Sequence, residues 1–177
     1  VDAFGADDAL CWDTSAGTTM YYTFYHIGTY AGGAFTGATG AKSFNAELAW
    51  DTSKVTTMGM TFWEATAFNR QLVWDTSSVT TLRRTFYKAY AFNQLLDWDT
   101  SSVETLDSTF YYAKKFNQPL AWDTSSVTTL DRTFDGAGGG FGGYGWTGFN
   151  SQLVWDTSKV TNMEYTFHQA FVFNREL

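Results

Sequence analysis

The sequence predicts an α/β repeat protein, a solenoid in which short strands form a parallel sheet and helical or 3₁₀ segments cover the opposite face. Three observations predict it. Trp-Asp-Thr-Ser occurs at 12, 50, 74, 98, 122 and 155, and self-similarity at a fixed period marks stacked supersecondary units. Each unit carries two hydrophobic periods, one of two residues and one near 3.6. A unit this small cannot bury two apolar faces alone, so copies must stack.

The intervals between the motifs are 38, 24, 24, 24 and 33, so the unit is 24 residues, with 14 and 9 residues inserted in two copies. Residues 1–8, with Asp2, Asp7 and Asp8, form a short polar cap. Six repeats follow at 9–47, 48–71, 72–95, 96–119, 120–152 and 153–177, in a single domain. Within a unit, Leu72, Trp74 and Thr76 alternate with Val73 and Asp75, the period of a strand that puts Leu and Trp on one side. Val79, Leu82, Phe86, Ala89 and Phe92 then recur at steps of 3, 4, 3 and 3, which lines one face of a helix. Asp-Thr-Ser supplies N-cap oxygens, and Ser101-Ser102-Val103-Glu104 reads as a capping box. The threonines lower helix propensity, which favours partly 3₁₀ geometry.

Composition narrows the function. The chain has 177 residues, 44% hydrophobic, 19% aromatic and 16% charged, enough for a packed core. No apolar run is long enough to span a bilayer. One cysteine, Cys11, and two histidines, His26 and His168, leave no disulfide framework and no Cys- or His-based metal cluster. A net charge of -7 and a pI near 4.6 argue against nucleic acid as a partner. No acid–base pair, nucleophile set or cofactor motif stands out, so no enzyme and no cofactor are expected. The glycine run Gly138-Gly139-Gly140 lacks the Lys-Ser/Thr of a phosphate loop. The absence of an initiator Met suggests a processed or excised fragment, and the abrupt apolar end at Leu177 is expected to pack on further chain or on a partner.

Six copies of Trp-Asp-Thr-Ser-x-Val-Thr-x-Met/Leu, Thr-Phe, Ala and Phe-Asn resemble the BspA-like leucine-rich surface-protein repeats of bacteria such as Listeria and Mycoplasma and of microbial eukaryotes. The resemblance covers residues 9–177. It implies a right-handed, leucine-rich-repeat-like solenoid for surface display, adhesion or protein contact, with no catalytic residues to carry over.

The invariant columns are read as structure. Trp50, Trp74, Trp98, Trp122 and Trp155 share a strand face with leucine, so they form a buried stack rather than a platform for sugars. Asp51, Asp75, Asp99, Asp123 and Asp156 accept turn N–H bonds, the alternative being calcium between neighbouring units. Asn45, Asn69, Asn93, Asn117, Asn150 and Asn174 satisfy turn backbone and one another. The threonine columns, such as Thr57, Thr81, Thr105 and Thr129, are placed on the turning segment rather than on a flat strand. The basic residues Arg83, Arg84, Lys88, Lys114 and Lys115 are read as a solvated face.

Variable positions carry the candidate site. The residue after the first Phe is Tyr25, Trp63, Tyr87 and Tyr111, then Asp135 and His168, an aromatic stripe suited to contact. The insertions, about 28–43 and 138–148, are rich in glycine and aromatics and leave the stack at one edge: Tyr30 and Phe35, then Phe141, Tyr144 and Trp146. Together these predict a non-enzymatic module that binds a protein or glycan at a cell surface or outside the cell. The alternative is an accessory subunit of a large complex, in an organelle lumen or at the periphery of a membrane.

Overall fold

In the computed structural model the described residues are 14–24, 42–138 and 148–176, with the backbone of 30–31 and 34–35. Equivalent residues of successive units lie one above another. The segment Val-Thr-Thr-Leu/Met carries the register. Thr19, Thr57, Thr81, Thr105, Thr129 and Asn162 are joined in order by isolated parallel bridges.

From this segment onward, backbone donors alternate. The N–H groups of Leu82, Arg84, Phe86 and Lys88 donate to the carbonyls of Thr105, Asp107, Thr109 and Tyr111 in the next unit, at 2.7 to 3.2 Å. Between them, the N–H groups of Thr85, Tyr87 and Ala89 donate three residues back, to Leu82, Arg84 and Phe86. Two residues per unit are left-handed, Arg84 (φ 57) and Lys88 (φ 54), with counterparts at Met60 and Glu64, Ser108 and Tyr112, and Arg132 and Gly136. Left-handed geometry costs an ordinary residue roughly 1–2 kcal/mol. Each of these residues donates its N–H to the following unit, so stacking holds the conformation in place.

This backbone corrects the expected fold class. The structure is not an α/β solenoid with a parallel sheet and opposing helices. Among the described residues only 42–43 are helical, and the two strands are β1 (Tyr30–Ala31) and β2 (Ala34–Phe35), an antiparallel pair inside the first insertion. The 3-4-3-3 spacing is produced by successive three-residue turns and left-handed residues, which place Val79, Leu82, Phe86, Ala89 and Phe92 inward as a helix would. The capping box does not form a helix start either, because the Glu104 N–H donates to Thr80 O of the preceding unit.

The Leu-x-Trp segments form no sheet for a geometric reason. Their indoles stack at 6.0 to 6.5 Å between ring centroids, wider than the 4.7–4.9 Å of a backbone ladder. A single parallel bridge, Leu120↔Leu153, occurs on this side among the described residues. Side chains replace the ladder, as the indole N–H of Trp98 donates to Leu72 O and that of Trp122 to Leu96 O. Thr57, Thr81, Thr105 and Thr129 lie in no strand: they make isolated parallel bridges, and a turn begins two residues after each.

The core is a set of ring columns. Phe62, Phe86, Phe110 and Phe134 are fully buried and stack at 5.4 to 5.6 Å. Each also packs on the second phenylalanine of its own unit, as Phe110 does on Phe116 at 4.0 Å. Burying such a side chain contributes about 1.5–3 kcal/mol, and the repeat multiplies it. Buried threonines close the polar groups of the core. Thr109 Oγ1 lies 2.8 Å from Leu106 O and 3.0 Å from Leu82 O, so one hydroxyl serves two carbonyls.

Candidate functional site

The invariant columns are occupied with one another. Trp50, Trp74, Trp98, Trp122 and Trp155 are buried, 3 to 8% exposed. Asp75 Oδ1 accepts from the N–H and hydroxyl of Ser77 at 3.0 and 2.7 Å, and Asp51 and Asp99 do the same with Ser53 and Ser101. Asp123 and Asp156 accept from the N–H groups of Ser125 and Ser158. Hydrogen bonds from serine hold all five carboxyls below the usual range. The intervening threonine donates forward, as Thr76 Oγ1 does to Asp99 O at 2.9 Å. Asn69, Asn93, Asn117, Asn150 and Asn174 each donate their N–H to the Oδ1 of the asparagine one unit earlier, beginning at Asn45, at 2.9 Å. Among the described residues no group of three or more His, Cys, Asp or Glu can hold a metal ion.

What these columns leave over is one variable face, built by the segment that alternates its backbone donors. Trp63, Tyr87 and Tyr111 are half-buried and stack continuously, at 4.5 Å for each pair. Because the rings face each other, the stripe presents their edges outward, together with the tyrosine hydroxyls. Burial raises the phenol pKa of Tyr87 and Tyr111. Cations flank the stripe: Arg84 lies over Trp63 at 5.5 Å and Lys88 over Tyr87 at 5.3 Å.

The stripe changes character in the fifth and sixth units. Asp135 takes the aromatic position and is 5% exposed, with Oδ1 3.0 Å from Nδ1 of exposed His168. Burial raises the Asp135 carboxyl, opposed by the bond to His168. Beside it Tyr112 crosses the fifth unit, its hydroxyl donating to Gln169 Oε1 at 2.6 Å. A glycine makes the crossing possible. A Cβ on Gly136, itself at φ 65, would meet the Tyr112 ring at 2.7 Å.

Sequence reasoning grouped Arg84 with a solvated face and passed over Tyr112, Gly136 and Gln169. The tyrosine could have been noticed as a second aromatic beside Tyr111, but its glycine lies one unit away and the pairing needs the stack. Of the remaining candidates, Tyr30 and Phe35 pair through backbone in β1 and β2, and their side chains lie outside the described residues. Tyr25, Phe141, Tyr144 and Trp146 also lie outside them, as does Cys11. The roots of the second insertion meet closely: a Cβ on Gly138 would run into the Phe149 backbone nitrogen. The opposite, Leu-x-Trp side exposes Val73 and Val154 and carries a hollow of about 260 Å³ lined by Leu95, Asp97, Pro119 and Trp122.

Three overlapping or adjoining stretches, residues 3–73, 32–142 and 143–177, match one family model, described as Mycoplasma protein of unknown function, DUF285. No curated protein and no solved structure matches the chain. No helix among the described residues is long and apolar enough to cross a membrane.

Proposed function

The chain belongs to the family described as Mycoplasma protein of unknown function, DUF285, and from that premise we propose that it is a non-enzymatic docking module of the BspA-like surface kind, displayed outside the cell, that binds a protein through its aromatic face. One observation carries the reading. Five invariant aspartates, six asparagines and the tryptophans are consumed by contacts within the stack, whereas Trp63, Tyr87 and Tyr111 hold a half-exposed row at a position that stacking alone does not dictate. Large, rigid aromatics at low entropy cost are the usual anchors of protein contacts.

The stacking geometry favours a polypeptide over a glycan. A sugar docks against a ring face, and within this stripe the faces are turned to one another. Edges and hydroxyls suit the mixed apolar and hydrogen-bonding surface of a protein partner.

Photo-crosslinking tests the reading. A photoreactive residue replaces Tyr87 or Tyr111 in one set of proteins and Val73 or Val154 in another, each exposed to the natural surroundings of the protein. The expected result is a discrete crosslinked polypeptide from the aromatic face alone, competed by excess unlabelled protein. Equal capture from both faces, or none from the aromatic face, rejects it.

A further inference from the structure

We infer that the Arg84 guanidinium is the anchor for a carboxylate of the partner, an aspartate or glutamate side chain brought in at the edge of Trp63 and Tyr87. The inference rests on the docking reading above and adds the chemistry that the partner must carry.

Three neighbouring cations have carboxylates of their own. Arg83 Nε donates to Asp107 Oδ2 at 2.7 Å, Lys88 Nζ lies 3.4 Å from Glu64 Oε1, and Arg132 Nη1 lies 2.8 Å from Asp131 Oδ2. Arg84 has none among the described residues, and its Nε is buried without an acceptor. Arginine carries its charge on a planar fork of hydrogen-bond donors. An orphaned buried donor beside a charged fork calls for an acceptor.

Arg132 shows the arrangement when it is filled. Both arginines occupy the same register in their units and both are left-handed (φ 57 and 51), but Arg84 lies over Trp63 of the preceding unit at 5.5 Å and Arg132 over Tyr165 of the following unit at 4.8 Å. They differ also in the preceding residue. Asp131 supplies the carboxylate to Arg132, whereas Arg83 precedes Arg84 and turns to Asp107. The carboxylate that Arg132 finds in Asp131 has no counterpart beside Arg84 among the described residues, which leaves its guanidinium for a partner's carboxylate. A carboxylate matches a planar fork two atoms to two. A dianionic phosphate would add a second charge close to Asp107 and Glu64.

The test follows the arginine Nε–Hε and tryptophan indole signals of the ¹⁵N-labelled chain while acetyl-tetraglutamate-amide is added, with acetyl-tetraglutamine-amide as the neutral control. The expected result is a saturable shift at Arg84 and Trp63 with the glutamate peptide alone, and an affinity lower by at least about tenfold in Arg84→Gln. Arg84→Lys, which keeps the charge but loses the fork, should fall between. No shift at Arg84, equal shifts at Arg84 and Arg132, or unchanged affinity in Arg84→Gln overturns the assignment. Near-ultraviolet circular dichroism of Arg84→Gln must match the parent for the comparison to stand. Crosslinking separates the two levels: undiminished capture of the partner by Arg84→Gln overturns the carboxylate anchor while the docking face stands, whereas absence of capture by the parent chain removes the docking face itself.

Discussion

Tyr87 and Tyr111 stack at 4.5 Å, while Trp74 and Trp98 in the same two units are 6.2 Å apart. Both pairs are parallel within 8°, so the separations report the local pitch of the stack. Phe86 and Phe110, between them, stand at 5.5 Å. The units therefore fan open toward the indoles and close toward the aromatic stripe. Backbone bonds join neighbours where the pitch is short and give way to side-chain bonds where it is long.

Hydrogen exchange should follow this gradient. The amides of Arg84, Phe86 and Lys88 donate to the next unit, whereas those of Leu95, Leu96 and Asp97 lie on the wide side without such bonds. Exchange measured by NMR should be at least about a hundredfold slower in the first group. Equal protection on both sides would mean that the indole side is a hydrogen-bonded sheet after all.

The buried threonine hydroxyl gives a second expectation. Thr109→Val keeps the shape but leaves Leu106 O and Leu82 O without the shared donor, at a cost of about 1–2 kcal/mol. Thr109→Ser keeps the donor and should lose less. Denaturant titration of both variants decides it.

Gly136 and Tyr112 are coupled across two units. Gly136→Ala meets both a left-handed backbone and the Tyr112 ring, and should destabilise by about 2–3 kcal/mol. In a Tyr112→Ala background only the backbone part remains, about 1–2 kcal/mol. A double-mutant cycle measured by thermal unfolding should show the difference as positive coupling, and strict additivity would refute the contact.

Acid should act through the aspartate column. A carboxyl depressed in the folded state stabilises above its unfolded pKa, and that contribution is lost as pH falls through the folded value. Asp51, Asp75, Asp99, Asp123 and Asp156 share this sign. The stability gap between the parent and Asp75→Asn should therefore be full at neutral pH and close below about pH 4. Asp135 has the opposite sign: its raised pKa makes ionisation a burden, relieved as pH falls through the folded value. Asp135→Asn should gain on the parent as pH rises from the unfolded value to the folded one and hold that gain above it, as unfolding midpoints across pH will show.

The sequence makes the 24-residue interval legible because each column is repeated, and the bonds recur at the same interval. It does not show the backbone path. Arg84, Lys88 and their counterparts other than Gly136 are left-handed without the glycine or asparagine that would announce it, since the bond to the next unit, not the residue type, holds them there. The strand was expected where the period is two, but indole bulk opens that side beyond the reach of a ladder, and the bridges fall on the threonines. Trp63, Tyr87 and Tyr111 were legible as departures from the columns. Arg84 was not, because its lack of a carboxylate appears only once Arg83, Lys88 and Arg132 are seen with theirs.

The most direct measurement is calorimetric titration of the crosslinked partner, once purified, against the parent chain, Trp63→Ala, Tyr111→Ala and a Val73→Ser/Val154→Ser control. A loss of at least about tenfold, ~1.4 kcal/mol, is expected for each aromatic substitution and none for the control. Unchanged affinity in Trp63→Ala and Tyr111→Ala, or a loss confined to the valine control, would contradict it.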